Sequence, residues 1–371
     1  MKKMLKRLLA ALPMLAAGFV CGGLIGRYAA SAEAQGVPGG MLGALALLFI
    51  GFVAGIYLQV AVHEGGHLVF GLLSGYRFCS YRLGGMMLVR EDGKLRLRRL
   101  KIAGTAGQCL MAPPPWSEDL PVLLYNLGGC LANLVTTVLC LLLWLPLRQH
   151  WLGALPLVIG LMGLAMAVTN GVPMRVGGVD NDGRNAIHLR KDRDGKYAFW
   201  LQMKIAEAQA EGLRLYQMPE VWFEYPEDRL ENPLVAAVAV CACNRLMDQQ
   251  RFAEARTAME QLLARPSGML GLHRNLLHCD LMFVRLLDGQ PDSARLLLTR
   301  EQTAFLRAMK TFPAVLRTQY ALALLADRDE AAAKKHRAAF DRAAARYPYP
   351  AEVQSERELM ELAEARAEAK L

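Results

Sequence analysis

The sequence predicts an all-α polytopic membrane protein: about four transmembrane helices with a cytoplasmic β-hairpin insert, followed by a soluble α-helical-repeat domain. The chain has 371 residues, and 54% of them are hydrophobic. Four stretches are nearly free of charge and about as long as the 20 apolar residues that a bilayer requires. They cover residues 8–26, 41–62, 120–147 and 151–169. No such run recurs after Asp180, so a water-soluble half is expected to follow the membrane half.

The first apolar run has two interpretations. It follows the basic start MKKMLKR and ends in AASAEAQG, where AEA fits the small-x-small site at which signal peptides are cleaved. A retained span and a cleaved signal peptide both fit this pattern, and the retained span is the expectation here. In either case residues 31–40 end up outside the cell.

Lysine and arginine set the expected orientation. Residues 76–110 carry eight of them, residues 31–40 carry none, and the link at 148–150 carries one. The positive-inside rule then places the N-terminus, the 76–118 loop and the C-terminal half in the cytoplasm of a multi-pass cell-membrane protein. The net charge of +9 therefore reflects mainly topology. The sequence shows no aromatic-lined basic groove, so nucleic acid is not an expected partner.

A charged motif, HEGGH, interrupts the second apolar run. On a helix, residues four apart share a face, so His63 and His67 would project together. H-E-x-x-H is the pattern in which two histidines bind zinc and the glutamate, here Glu64, is the general base. So short a motif also occurs by chance, but polar groups inside a span are costly and usually functional. The two glycines between them would let another backbone approach closely.

A catalytic zinc takes a third protein ligand and keeps one open position. Asp180 and Asp182 follow directly on the fourth apolar run, in TNGVPMRVGGVDNDGRNAIHL. Asp182 precedes Gly183 and a helical pattern, which suits an N-cap. An ordinary capped turn is the alternative for this stretch, and both aspartates remain candidate ligands.

Three motifs together resemble those of the site-2 proteases, which are intramembrane zinc metalloproteases. HEGGH is the first. NLGGCLANL is similar to the family's GGPxxN motif, with Cys130 in place of the proline. NGVPMRVGGVDNDG is similar to the family's N-x-x-P…D-G motif, with a longer insert after Pro173. Asp182 is the favoured third ligand because a glycine follows it.

The resemblance covers roughly residues 41–190 and implies a membrane-embedded zinc metalloprotease domain over residues 1–190. It implies hydrolysis of peptide bonds in a membrane-spanning or membrane-associated protein or peptide by zinc-activated water. The implied site residues are Glu64 as catalytic base, His63, His67 and Asp182 as ligands of Zn²⁺, and Asn126 and Asn133 as substrate-binding residues. Helix packing is the alternative role for the two asparagines. A non-catalytic membrane scaffold is the alternative function, and the intact glutamate argues against it.

The sequence between the second and third apolar runs predicts a β-hairpin. Residues 84–102 alternate on both sides of EDGK, and an Asp-Gly turn between alternating strands is a hairpin signal. Two uses remain open: an edge strand that pairs with extended substrate, or a basic hairpin that rests on the anionic headgroups of the lipid bilayer. Residues 104–116 are expected to form a loop that dips toward the membrane.

The sequence of residues 191–371 predicts a cytoplasmic α-helical, tetratricopeptide-like domain. Segments near 249, 288 and 326 echo one another at a spacing of 38 to 39 residues. Each has a short polar turn followed by an alanine-rich amphipathic helix, as in helical repeats. The expected role of this domain is to bind a protein partner or to regulate the membrane half.

Overall fold

The computed structural model describes residue 19 and residues 22–369, apart from 92, 103, 104 and 177. The described chain is mostly helical, with a small antiparallel sheet. Its contacts form two compact units. We call the first the spanning unit; its described residues run up to 71 and continue in 122–174 and 180–187. The second, the sheet-and-helix unit, contains 72–121, 175–179 and the described residues from 188 onward.

Three helices of the described chain are long and apolar enough to cross a membrane. They are α1 (Gly40–Leu73), α2 (Val122–Leu147) and α3 (Ala154–Gly171), the last preceded by a 3₁₀ turn at Trp151–Gly153. Large apolar side chains such as Phe49 and Leu143 are exposed on them, which suits lipid better than water. The second, third and fourth predicted spans are thus helices of suitable length. The first, at 8–26, lies largely outside the described residues, and residues 22–30 are helical.

Helices α1 and α2 come closest where Gly66 meets Gly128. A β-carbon on Gly66 would lie 2.2 Å from the carbonyl oxygen of Gly128, and one on Gly128 would lie 2.6 Å from that of Gly66. Only glycine allows two backbones this close. A β-carbon on Gly65 would have no neighbouring atom within 4 Å. Of the two glycines in HEGGH, only Gly66 therefore takes part in the close approach that the sequence predicted.

The insert after α1 is a four-stranded antiparallel sheet rather than a lone hairpin. Its strands are β1 (Arg77–Leu83), β2 (Met86–Glu91), β3 (Lys94–Arg99) and β4 (Gly107–Ala112), in the order β3-β2-β1-β4. The predicted hairpin is confirmed as β2 and β3, with Glu91 opposite Lys94 and Met86 opposite Arg99. The prediction of a loop at 104–116 is wrong for residues 107–112, which form β4 and pair with β1. Strand β1 gives little periodic signal because polar Ser80 and Arg82 occupy its buried face.

The remaining elements are short strands and helices. Two-residue strands β5 (Arg175–Val176) and β6 (Val179–Asp180) precede α4 (Asp182–His188) and α5 (Arg193–Ala210). Three 3₁₀ turns follow, at Leu215–Gln217, Glu220–Phe223 and Glu227–Arg229. Then come α6 (Pro233–Asp248), α7 (Phe252–Ala264), α8 (Gly271–Leu287), α9 (Pro291–Arg295), α10 (Arg300–Ala308), α11 (Pro313–Ala321), a π-helical segment Leu322–Asp327, α12 (Glu330–Ala344) and α13 (Pro350–Glu368).

Where the sequence predicts a helical repeat, the structure has three helical hairpins. Each turns at a residue with positive φ, namely Gln250 at 57°, Gly289 at 75° and Arg328 at 55°. These positions are 39 residues apart along the chain. Five residues after each turn comes a buried alanine, so the hairpins repeat in packing as well as in sequence. These alanines are Ala255, Ala294 and Ala333.

The sheet and the C-terminal helices share one hydrophobic core. Met87 and Leu100 from the sheet belong to the same buried cluster as Phe283, Met282 and Met360 from the helices. The backbone N–H of Arg99 also donates to the carbonyl oxygen of Arg346, 2.9 Å away. The insert therefore shares its core with residues far along the chain. The functional boundary near residue 190 stays a prediction.

Candidate metal centre

Three side chains converge in the spanning unit, two from α1 and one from the start of α4. Nε2 of His63 lies 3.0 Å from Oδ2 of Asp182, and Nε2 of His67 lies 3.5 Å from the same oxygen. The two Nε2 atoms are 3.3 Å apart. In the part of the chain that the structure describes, these are the one group of three such side chains close enough to share a metal ion. The ligands predicted from the sequence therefore lie together.

The far nitrogen of each imidazole is held by a hydrogen-bond acceptor. Nδ1 of His63 lies 2.7 Å from Oδ1 of Asn133, and Nδ1 of His67 lies 2.8 Å from the carbonyl oxygen of Tyr125. A carbonyl oxygen accepts but never donates, so each Nδ1 carries a proton, and in the neutral imidazole each Nε2 keeps its lone pair. Both lone pairs therefore point into the space that Asp182 also faces. Such bonds to the far nitrogen are the usual support of metal-binding histidines.

The orientation of Asn133 follows from a chain of buried hydrogen bonds across all three long helices. Its Nδ2 donates to the carbonyl oxygen of Gln59 at 3.0 Å and to Oε1 of Gln59 at 2.8 Å. Nε2 of Gln59 donates in turn to the carbonyl oxygen of Ile159 at 3.0 Å. Because Nδ2 of Asn133 is used for these contacts, its Oδ1 must face His63. Sequence reasoning missed Gln59, although its position four residues before His63 places it on the same helical face.

The two asparagines of the central motif differ in their contacts. Asn133 is fully buried and bonds to a predicted ligand. Asn126 is 4% exposed, and its Nδ2 donates to the carbonyl oxygen of Val122 in its own helix. The structure therefore makes Asn133 a positioning residue. A role in substrate binding stays a prediction for both.

The motif glycines make room for the site. A β-carbon on Gly129 would lie 2.6 Å from ring atoms of His63, so the imidazole packs directly on that glycine. A β-carbon on Gly183 would lie 1.9 Å from the carbonyl oxygen of Gly171. The first glycine admits the His63 ring between α1 and α2. The second brings the start of α4 against the end of α3.

Asn181 fixes the start of α4, a role that the sequence assigned to Asp182. Its Oδ1 accepts from the backbone N–H of Arg184 and of Met174, both at 3.0 Å. Its Nδ2 donates to the carbonyl oxygens of Thr169 at 2.8 Å and Val172 at 2.6 Å. The predicted N-cap is therefore wrong by one residue. Because Asn181 caps the helix, the carboxylate of Asp182 is left to face the histidines.

The structure separates the two candidate aspartates. Oδ1 of Asp180 forms an ion pair with Nε of Arg184 at 2.9 Å, one turn further on. Oδ2 of Asp182 is buried and makes no well-directed hydrogen bond among the described residues, although His63 Nε2 is 3.0 Å away. Asp182 is thus the aspartate available to a cation at the histidines. The structure brings Asp182, and not Asp180, to the two histidines.

Charge at the site is unbalanced without a cation. Burial by itself would raise the pKa of Asp182, but hydrogen bonds and positive charge from the two imidazoles outweigh burial and lower that pKa to about 2. When the imidazoles are neutral, their two Nε2 lone pairs lie within 3.5 Å of the ionised carboxylate. These atoms repel one another unless a positive charge sits between them. A proton or a metal ion would supply that charge.

Glu64 lies beside this group on α1. Its side chain is half-buried, and it is close enough for its charge to act on His67. In the HEGGH motif Glu64 is the general-base candidate, directly after His63 in sequence.

Compared with known proteins, the chain matches no family model, no curated protein and no solved structure. The resemblance to the site-2 proteases stays a prediction that rests on the three motifs. Two of those motifs supply the converging side chains, and the third supplies Asn133 and Gly129, both of which contact His63.

Proposed function

We propose that the protein is an intramembrane zinc metalloprotease that hydrolyses peptide bonds of membrane-spanning or membrane-associated peptides. The observation that supports it is the convergence of His63, His67 and Asp182, with both Nε2 lone pairs directed at one carboxylate. Two histidines and one carboxylate are a ligand set of catalytic zinc sites, which keep a further position open for water or substrate. When bound, zinc polarises a carbonyl and brings the pKa of its water to about 7.

The donor atoms favour zinc over magnesium and calcium, and they favour a catalytic over a structural role. Magnesium and calcium prefer oxygen ligands, whereas two of these three donors are imidazole nitrogens. Structural zinc sites are closed by four protein ligands. The group in the described chain has three members, which suits a catalytic site.

Each residue around the ligands has a separate task in this proposal. Glu64 accepts the proton of the attacking water and passes it to the leaving nitrogen. Asn133 holds the ring of His63, and the carbonyl oxygen of Tyr125 holds the ring of His67. These bonds keep both Nε2 atoms directed at the same point, which preorganises the site before substrate arrives.

The proposal includes a membrane setting. The three apolar helices would cross the bilayer and surround the site, so substrate and water would reach it at membrane depth. The excess of lysine and arginine in 76–110 supports a cytoplasmic insert and C-terminal half. The three helical hairpins would then offer a cytoplasmic surface to a protein partner.

The decisive experiment compares wild type with Glu64→Gln in cells. Glutamine keeps the size of the side chain but cannot act as a base, so the variant should keep one zinc per chain. Peptide products from membrane segments should fall by roughly 10²–10⁴-fold. Glu118→Gln, at an exposed carboxylate of the sheet-and-helix unit, is the matched control and should cleave normally.

Two outcomes would reject the proposal. The first is a wild-type protein that binds no zinc at all. The second is an identical set of membrane peptides from wild type and from zinc-loaded Glu64→Gln. That second result would favour a non-catalytic scaffold, for which the helical hairpins are the supporting feature.

A further inference from the structure

A groove of about 570 Å³ lies in the sheet-and-helix unit, between the sheet, the link from α10 to α11, and the end of α12. Residues 85, 86 and 99–101 form one wall, and residues 310–312, 339, 342, 343, 346 and 347 form the other. Pockets that hold small molecules have volumes of about 300–1,000 Å³. The groove is therefore large enough for a small organic ligand.

Five cationic side chains line this groove, and no carboxylate does. They are Arg99, Lys101, Lys310, Arg342 and Arg346. None of the five forms an ion pair with a carboxylate of the described chain, whereas Arg337, also on α12, pairs with Glu364 at 2.9 Å. An uncompensated set of positive charges around one concavity attracts anions strongly.

The groove has a fixed apolar floor. Leu100 is 6% exposed and Tyr347 is 5% exposed, and the ring of Phe312 packs edge-to-face on Tyr347 with centroids 5.9 Å apart. The hydrogen bond from the N–H of Arg99 to the carbonyl oxygen of Arg346 ties the two walls together. The cations thus surround a surface whose shape is set by packing.

A helix terminus adds positive charge at the same place. Helix α11 has nine residues and begins at Pro313, directly after the lining residues Thr311 and Phe312. Its N-cap residue, Phe312, provides no side-chain hydrogen bond to the first turn. The dipole of α11 therefore adds positive potential next to Lys310 and Phe312, although no residue of α11 itself lines the groove.

We propose that this groove binds a ligand that carries two or more phosphoryl groups together with an apolar or ring-shaped part. Arginine and lysine are the residues that bind phosphate, and five of them exceed what a single monoanion would neutralise. The apolar floor would receive a ring or an acyl chain. A soluble nucleotide and a phosphorylated lipid share this chemistry. The proposal is independent of the zinc site.

The test measures binding to the full chain in an uncharged detergent by titration calorimetry. The probes are adenosine triphosphate, inorganic pyrophosphate and a dioctanoyl phosphatidylinositol bisphosphate. Wild type should bind at least one of them, and added salt should weaken binding because exposed charges are screened. Binding of the lipid alone would identify a lipid source, and binding of the nucleotide or pyrophosphate would identify a soluble one.

Charge-reversal variants locate the binding. Lys310→Glu and Arg342→Glu should each raise the dissociation constant by roughly tenfold or more, because each removes a charge-assisted contact. Arg300→Glu is the matched control, since this exposed arginine on α10 lies outside the groove and the charge change is the same. All three residues are exposed, so the variants should fold as wild type does. No binding of any probe, or equal affinity in groove and control variants, would overturn the proposal.

Discussion

Arg317 in the sheet-and-helix unit and Asp182 in the spanning unit both carry buried charge, but their surroundings differ. Arg317 is fully buried, pairs with Asp280 and Glu356, and lies over the ring of Phe283 at 4.7 Å. No lysine or arginine among the described residues pairs with Asp182, which faces only the two histidines. A buried charge is tolerated when it is paired. The Arg317 cluster is therefore complete within the chain, whereas the Asp182 cluster is one that a proton or a bound cation would complete.

The largest expected effect concerns the incomplete cluster. Asp182→Ala should remove the zinc from the purified full chain, because it deletes the one anionic ligand. Asp180→Ala should keep one zinc per chain, because Asp180 pairs with Arg184 instead. Metal analysis per chain separates the two variants. The reverse order would make Asp180 the ligand and would undo the comparison.

The complete cluster should respond in stability rather than in metal content. Arg317→Met leaves Asp280 and Glu356 without their cation, which costs about 3–5 kcal/mol for a buried pair. Arg337→Met, at the more exposed pair with Glu364, should cost no more than about 1 kcal/mol. Denaturant or thermal unfolding measures both. Equal losses, or loss of zinc in Arg317→Met, would mean that the two clusters are not distinct.

A third substitution tests the hydrogen bond that orients His63. Asn133→Ala keeps all three ligands but removes the acceptor that orients His63. Zinc affinity should fall by roughly 10–100-fold, the usual effect of losing such a partner. Asn133→Asp, which keeps an acceptor oxygen, should recover part of that loss. Asn126→Ala is the control, since its amide bonds within its own helix. Chelator competition that shows equal affinity for Asn133→Ala and Asn126→Ala would contradict this role.

A pH dependence is expected in the sheet-and-helix unit. Burial, aided by the charge of Glu356, raises the pKa of Glu352 from 4.5 to about 8, while the hydroxyl of Tyr347 acts in the opposite direction. The folded state then holds a proton that the unfolded state releases, so stability falls as pH rises from 4.5 to about 8. Glu352→Gln removes this slope. Unfolding midpoints at pH 5 and pH 8 should differ less in this variant than in wild type.

The control for that measurement is Glu361→Gln, an exposed position on the same helix. Its unfolding midpoints should follow those of wild type at both pH values. Equal slopes for wild type and Glu352→Gln would show that Glu352 does not carry the pH dependence.

Local sequence determined much of the spanning unit. Long apolar runs predict helices by themselves, and the four-residue spacing of His63 and His67 places them on one face. The glycine after Asp182 favoured it over Asp180, but the contacts that separate the two could not be predicted, because they depend on hydrogen bonds that Asn181 makes to the end of α3 and beyond. Gln59 was missed because its value lies in contacts with residues more than 70 positions away.

The sheet and the groove were harder to predict from the sequence, because the patterns that reveal them are not local. The turn at Gly93 allows β2 and β3 to be predicted from the sequence. Strand β1 has no such signal, because the guanidinium of Arg82 is buried against the carbonyl oxygen of Gly84 and the hydroxyl of Thr105. A buried arginine breaks the apolar alternation by which strands are recognised. The groove joins residues near 100 to residues near 340, and no local pattern links them.

The shared core of the sheet and the C-terminal helices has a consequence for biosynthesis. Strands β1 to β4 leave the ribosome first, yet Met87 and Leu100 are buried by helices that extend to Met360. At roughly 5–20 residues per second, the strands precede the last of these helices by on the order of ten to fifty seconds. Helices α2 and α3 are made during that interval. The edge strand β3 carries Lys94, Arg96, Arg98 and Arg99, and such charges oppose pairing with other nascent chains until the core is complete.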